Sequence, residues 1–146
     1  MPTRKKNNLV YNVPNISSLA ALEIINTGFK EAIKYTINIT ISVVDRSLNL
    51  VAFARGDGAT PHSIETSRRK ANTSASTGKP TGWMDKDLSI LLPMASNNQL
   101  TNIPGGVPIR FKGEFLGGIG VAGGTTDQDY MIALSIVKII GADESD

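Results

Sequence analysis

Phe53-Ala54-Arg55-Gly56-Asp57-Gly58-Ala59-Thr60-Pro61-His62-Ser63-Ile64-Glu65-Thr66-Ser67-Arg68-Arg69-Lys70-Ala71 is the stretch on which the reading of this chain turns. An apolar run ends at Ala54, a charged turn broken by Gly56 and Gly58 follows, and from Pro61 or His62 the pattern becomes helical. His62, the single histidine of the chain, therefore falls at a strand-to-helix junction. Backbone N–H groups at a helix start lack intrahelical partners and point toward whatever lies above the sheet edge. The Arg55-Gly56-Asp57 tripeptide is read as a turn and not as an adhesion motif. The two glycines are expected to supply positive φ there, and a chain with no cysteine and no leader-like apolar run does not fit an exported adhesive protein.

Upstream of this junction, residues 38 to 45 alternate, with Ile39, Ile41 and Val43 on one face and Thr40 and Ser42 on the other. The turn at Arg46-Ser47 leads into a second apolar run, Leu48 to Ala54. Two strands joined this closely form an antiparallel hairpin, because a parallel crossover needs a dozen or more residues. Before the hairpin, Leu19, Leu22, Ile25, Phe29, Ala32 and Ile33 recur at three-and-four spacing over Asn15 to Tyr35 and predict an amphipathic helix, with Asn15 or Ser17 as N-cap.

Downstream, a helix from about His62 to Ala75 is expected to turn Ile64, Ala71 and Ala75 inward beside Ser67 and Ser74, with Arg68 and Arg69 toward water. A loop over Thr77 to Gly82 leads to a short helix, Asp85 to Leu92, stopped by Pro93. Trp83, at its head, is read as a cover for the core, with a ligand-stacking ring as the alternative. Val107 to Phe111 reads as a strand in which Pro108 requires either an edge position or a site whose N–H is not part of the ladder. After the turn Lys112-Gly113-Glu114, the returning strand Phe115 to Ala122 carries Gly117, Gly118 and Gly120, which is costly unless another backbone, a helix or a ligand approaches closely; close helix-on-sheet packing is the preferred reading. Thr125-Thr126-Asp127 caps a last helix with a stripe of Tyr130, Ala133, Ile136, Val137 and Ile140, ended by Gly141. Asp127 and Asp129 are read as helix-start residues favoured by the dipole. The order helix, hairpin, two helices, hairpin, helix predicts an α+β three-layer sandwich around an antiparallel sheet.

At 146 residues the chain fits one domain. We expect residues 1–13 to be a flexible or partner-docking arm, 14–141 the domain, and 142–146 an acidic, mobile tail. Zero cysteines exclude disulfides, thiolate metal sites and cysteine nucleophiles. Arg4, Lys5 and Lys6 carry more than the whole formal charge of +2, so the body is near neutral, and aromatics make up only 5% of the chain. No basic stacking surface for nucleic acid is expected. No apolar stretch approaches a membrane span and no leader is recognised, so the expectation is a cytoplasmic protein.

Four stretches, in order, resemble the GlcG/HbpS-like haem-binding proteins, relatives of the PduO C-terminal domain. They are Val43-Val44-Asp45 with Leu50-Val51-Ala52-Phe53; Arg55 to Ala59 with Pro61-His62-Ser63-Ile64 and Lys70-Ala71; Pro104 to Ile109; and Gly118 to Gly124 leading to Asp129. The resemblance runs from about Ala20 to Ile140. It implies a profilin-like fold with a five-stranded antiparallel sheet, a haem or other tetrapyrrole ligand, a possible part in haem breakdown or sensing, and a homo-oligomer. The chain departs from the family pattern at Ser47-Leu48, where a glycine pair is usual, at Gly56, often methionine, and at Ala122, usually serine.

His62 is the candidate axial or metal ligand, since neutral imidazole is a common donor to iron; the plainer alternative is a capping imidazole. Lys70, two turns along the same helix, is a candidate for a ligand carboxylate or for an ion pair with Asp57 or Glu65. Asp57, Gly105 and Gly106 complete the candidate ligand-binding set, the glycines through an amide nest or simply as a hairpin entry. Three functions follow: haem binding, a carboxylate-binding accessory module of a metabolic pathway, and an enzyme with His62 as general base, for which no partner carboxylate or nucleophile is evident.

Overall fold

A computed structural model describes residues 8–145. Four helices and four strands follow in the order α1 (Ser18–Tyr35), β1 (Thr40–Asp45), β2 (Leu50–Arg55), α2 (Ser63–Thr77), α3 (Lys86–Ala95), β3 (Gly106–Phe111), β4 (Glu114–Ala122) and α4 (Thr126–Ile139). The strands form one sheet, ordered β2-β1-β4-β3, with every neighbouring pair antiparallel. Pro108 lies on β3, an edge strand, where its missing N–H costs no ladder bond on the outer side.

The fifth strand implied by the resemblance is absent among the described residues. The two hairpins account for all four strands, and the chain between α2 and β3 is spent on α3 and on coil in which Asn97 and Asn98 adopt positive φ. Pro93 does not stop α3, which runs on to Ala95. A proline this close to the helix end forfeits a single hydrogen bond, and the final turn tolerates that loss.

Alternation on β1 separates two packing faces. Ile41 and Val43 enter the main core with Ile24, Ile119, Val121, Ile132 and Ile136, beneath α1 and α4. Val44 faces the other way, against Ala71 and Ala75 of α2. The helices therefore lie on both sides of the sheet. The buried stripe of α1 is Ala21, Ile24, Ile25, Gly28, Glu31 and Ala32. It is rotated from the expected one, and Leu19 and Ile33 are 80% and 75% exposed. Ser17 caps α1, while Asn15 instead accepts the Arg46 N–H at 2.9 Å and ties the chain's entry to the first hairpin turn. The expected arm falls partly outside the described residues; Leu9, Val10 and Tyr11 are exposed.

The second helical layer uses different chemistry. α2 buries Ser63, Ser67, Lys70, Ala71, Ser74 and Ala75, and Ile64 points outward. Two hydroxyl pairs join helix to sheet: Thr40 with Ser63 at 2.6 Å and Ser42 with Ser67 at 2.7 Å. These bonds require α2 to lie very close, and Gly118 and Gly120 allow it. A methyl group on Gly120 would meet the Ser67 carbonyl oxygen at 1.8 Å, and one on Gly118 would meet that of Ala71 at 2.4 Å.

Two terminal features differ from expectation. Trp83 covers no core and is 41% exposed. The acidic tail is tied down at its start, because the Asp143 carboxylate accepts the Lys112 and Gly113 N–H groups at 3.0 and 2.8 Å. Those amides belong to a two-residue hairpin turn with positive φ at both positions.

Gly120→Ala should cost about 3 kcal/mol, the upper end for overpacking, because the obstructing atoms are backbone. Urea unfolding of wild type and variant measures this; a loss below about 1 kcal/mol would show that α2 can lift without penalty.

Candidate functional site

The close seat of α2 carries its first residues to the end of the sheet, beside the start of α4. His62 is the residue before α2, exposed, and its imidazole makes no hydrogen bond to the described residues. Beneath it lies a cavity of about 380 Å³, lined among others by Thr66, Ile103, Ala122, Thr126, Lys70 and Asp129. His62 and Lys70 thus share one cavity, as their spacing along the helix suggests. The alanine that replaces the family's usual serine, Ala122, is part of its wall.

Lys70 forms the floor. Its ammonium donates to the Val121 carbonyl at 2.8 Å and to Asp129 Oδ2 at 3.0 Å, and both side chains are almost wholly buried. The other oxygen of Asp129 accepts the Gly124 N–H at 2.8 Å. The pair joins α2, on one face of the sheet, to α4, on the other. Gly105 makes room for it: at φ +128, a Cβ there would come within 2.8 Å of Lys70 Nζ and 3.0 Å of Asp129 Cβ. Asp129 was legible in the sequence only as a helix-start residue; its role as the partner of Lys70 depends on two segments 59 positions apart meeting at the sheet end.

The remaining candidates do not join this cluster. Asp57 lines a separate cavity of about 340 Å³ with Phe29, Ile33, Asn38 and Arg55, and it does not pair with Lys70. Glu65 lies 3.8 and 3.9 Å from Arg68 and Arg69 instead. The Gly106 N–H donates to Thr81 Oγ1 at 2.9 Å, and its carbonyl accepts the Thr81 N–H at 3.0 Å. The Gly106 amide is thus already used by Thr81, and Gly105 packs against the Lys70–Asp129 pair.

Among the described residues no group of three or more His, Cys, Asp or Glu side chains could hold a metal ion. One imidazole is a poor site for a bare ion, which needs four or more donors. It does suit iron already held in a tetrapyrrole, where the macrocycle supplies four donors and the protein need add only an axial one. Among the described residues no carboxylate is bonded to His62 to orient it as a base, and Asp129 is engaged by Lys70 and Gly124.

An antiparallel four-stranded sheet between helical layers, with an imidazole over a lysine-floored cavity, defines a small α+β domain. Residues 16–138 match the HbpS-like family, described as haem degrading proteins, and the chain belongs to that family. It is 31% identical to protein GlcG of Escherichia coli K12 over 108 residues, which cover 73% of this chain and 81% of that protein. A crystal structure of a double mutant of Streptomyces reticuli HbpS superposes with a TM-score of 0.82 at 29% identity, covering 97% of both chains. The PduOC:haem complex gives a TM-score of 0.82 over 90% of this chain and 99% of that one; at 20% identity this likeness is one of fold.

Lys70→Met should destabilise the chain by about 3–5 kcal/mol, because it leaves the Asp129 carboxylate buried and unpaired, and Lys70→Met with Asp129→Leu should recover most of the loss. Burial lowers the Lys70 pKa from its ordinary 10.5 more than the charge and hydrogen bond of Asp129 raise it. Between that lowered value and 10.5, the unfolded chain holds more protons at this position than the folded chain, so this group makes stability rise with pH. Urea unfolding at alkaline pH should therefore show wild type gaining on Lys70→Met as 10.5 is approached. The opposite drift would contradict the assignment.

Proposed function

We propose that the chain is a haem-binding protein of the HbpS type, with His62 as iron donor and Lys70 as the cationic floor nearest the ligand's acid groups. The observation that carries this reading is the unbonded His62 imidazole at the mouth of the Lys70 cavity, in a chain of the HbpS-like family. The sparse donor set adds to it, because a chelate bearing its own nitrogens needs no further ligand cluster. Bound haem would supply redox-active iron. The protein's own part would be to hold the ring's acid side toward a buried ammonium and to present one neutral imidazole. Haem complexation by PduOC, on the same fold, supports the reading at the level of architecture.

A second reading rests on the size of the cavity. At about 380 Å³, with an ammonium at its floor and four hydroxyl residues, Thr60, Ser63, Thr66 and Thr126, along it, the space suits a small carboxylate. The two bonds of Lys70 leave one of its three N–H donors for such a ligand.

Titration with hemin should give a saturable Soret shift in wild type, and His62→Ala should change the bound spectrum and weaken binding by roughly tenfold or more, as expected for loss of an axial donor worth at least 1.4 kcal/mol. No Soret change, or an unaltered His62→Ala complex, would end the axial-ligand reading. A chain indifferent to hemin yet raised in melting temperature by small carboxylates would give the cavity to the second reading.

We further propose a homo-oligomer. Leu19, Leu22 and Ile33 place exposed apolar side chains along the outer side of α1, which none of the described elements covers. Light scattering should give a mass above the 15.6 kDa of one chain, and Leu22→Glu should lower it. A monomeric wild type would exclude this interface.

A further inference from the structure

Trp83 is the only tryptophan of the chain, and its exposure is built in. Thr81 and Met84, which flank the Gly82-Trp83 step, are buried and pinned. Thr81 is bonded to Gly106 through its N–H and its hydroxyl. The Met84 N–H donates to Asn102 Oδ1 at 2.9 Å, and Asn102 donates back to the Met84 carbonyl at 3.4 Å. Between these clamps, Gly82 at φ +108 turns the chain so closely along Pro104 that a Cβ would come within 3.1 Å of its ring. The clamped backbone thus presents the indole outward, although a tryptophan ordinarily buries most of its large surface.

The indole faces a groove of about 510 Å³, larger than the cavity under His62. Pro80, Pro104 and Tyr130 give it flat, apolar walls, and its polar groups are few and opposed in charge, with Lys79 and Asp127 both on the lining. The Lys79 ammonium rests over the Trp83 ring, 4.2 Å from its centroid. On an exposed side chain such a contact is weak and easily exchanged. Preformed apolar walls with a small number of polar groups are the ordinary make-up of a small-molecule site.

We propose that this groove is a ligand site for a planar heteroaromatic acid, separate from the cavity under His62. The ring of the ligand stacks on Trp83 between the two prolines. Lys79 leaves the indole face and pairs with the acid group, while Asp127 keeps the acid away from its own end and accepts a ring N–H or amino donor. The opposed charges thereby fix the ligand's direction in the groove. The site does not depend on the haem reading, because none of its side chains lies in that cavity.

Because Trp83 is the sole indole, its fluorescence reports on this groove directly. Titration of the full chain with pterin-6-carboxylate should quench Trp83 saturably. Lys79→Gln, a change at an exposed position, should weaken binding by roughly tenfold, the effect of losing one charge-assisted hydrogen bond. Pterin without the acid group and the naphthyltrimethylammonium ion should each bind at least as weakly as that variant binds the acid. Calorimetry with Trp83→Leu should detect no binding of pterin-6-carboxylate. The proposal is overturned if wild type shows no saturable quenching, if the neutral or cationic probe binds as well as the acid, or if Lys79→Gln binds unchanged. Should Trp83→Leu not fold, the comparison of Lys79→Gln with wild type decides.

Discussion

Close contact between α2 and two glycines of β4 is the constraint on which the remaining architecture rests. Helices normally stand off a sheet by the thickness of interlocked side chains; here the Ser67 and Ala71 carbonyls lie where the side chains of residues 120 and 118 would be. At that separation there is no room for large apolar residues between the layers. Small and hydroxyl-bearing side chains replace them, and the Thr40–Ser63 and Ser42–Ser67 bonds supply the specificity that shape complementarity of larger groups would otherwise give. The same approach delivers Lys70 to the sheet end and shuts its ammonium away from water.

Burying that ammonium is costly by itself, and the cost is met by geometry. Lys70 has a carbonyl and a carboxylate within 3.0 Å, and Asp129 has a second donor in Gly124. A pair of this sort contributes little net stability, yet losing either member is severe because the other stays buried and uncompensated. It therefore fixes the relative position of the two helical layers more than it strengthens them. The candidate cavity is a by-product of that fixation: its floor is the ion pair, and its rim comes from the start of α2 and the start of α4.

Much of the architecture was legible from local chemistry. Both hairpins, the Thr125 cap of α4 and the close packing implied by the strand glycines follow from alternation, turn residues and capping preferences, which act within a few residues. The errors arose where one sequence pattern permits two burials. α1 carries apolar residues on more than one side, so periodicity alone did not show that Ala21, Ile24 and Gly28 face the sheet while Leu19 and Ile33 do not. On α2 hydrophobicity points to Ile64 as an inner residue, but the interface runs on serines and Ile64 faces outward. The fifth strand came from family likeness and had no counterpart in the chain's own pattern.

Residue type and helical spacing put His62 and Lys70 on one side of α2, and that is as far as one dimension reaches. The sequence by itself determined the two hairpins, the cap of α4 and the scarcity of metal donors, since these depend on covalent neighbours and composition. Tertiary structure alone decided that Lys70 takes Asp129 and not Asp57 or Glu65, and that Gly106 spends its amide on Thr81. It also decided that Trp83 faces outward. Each of these outcomes depends on segments far apart in the chain meeting within about 3 Å, where hydrogen bonding and desolvation become decisive. The stretch from Phe53 to Ala71 holds one side of those contacts and gives no sign of the other.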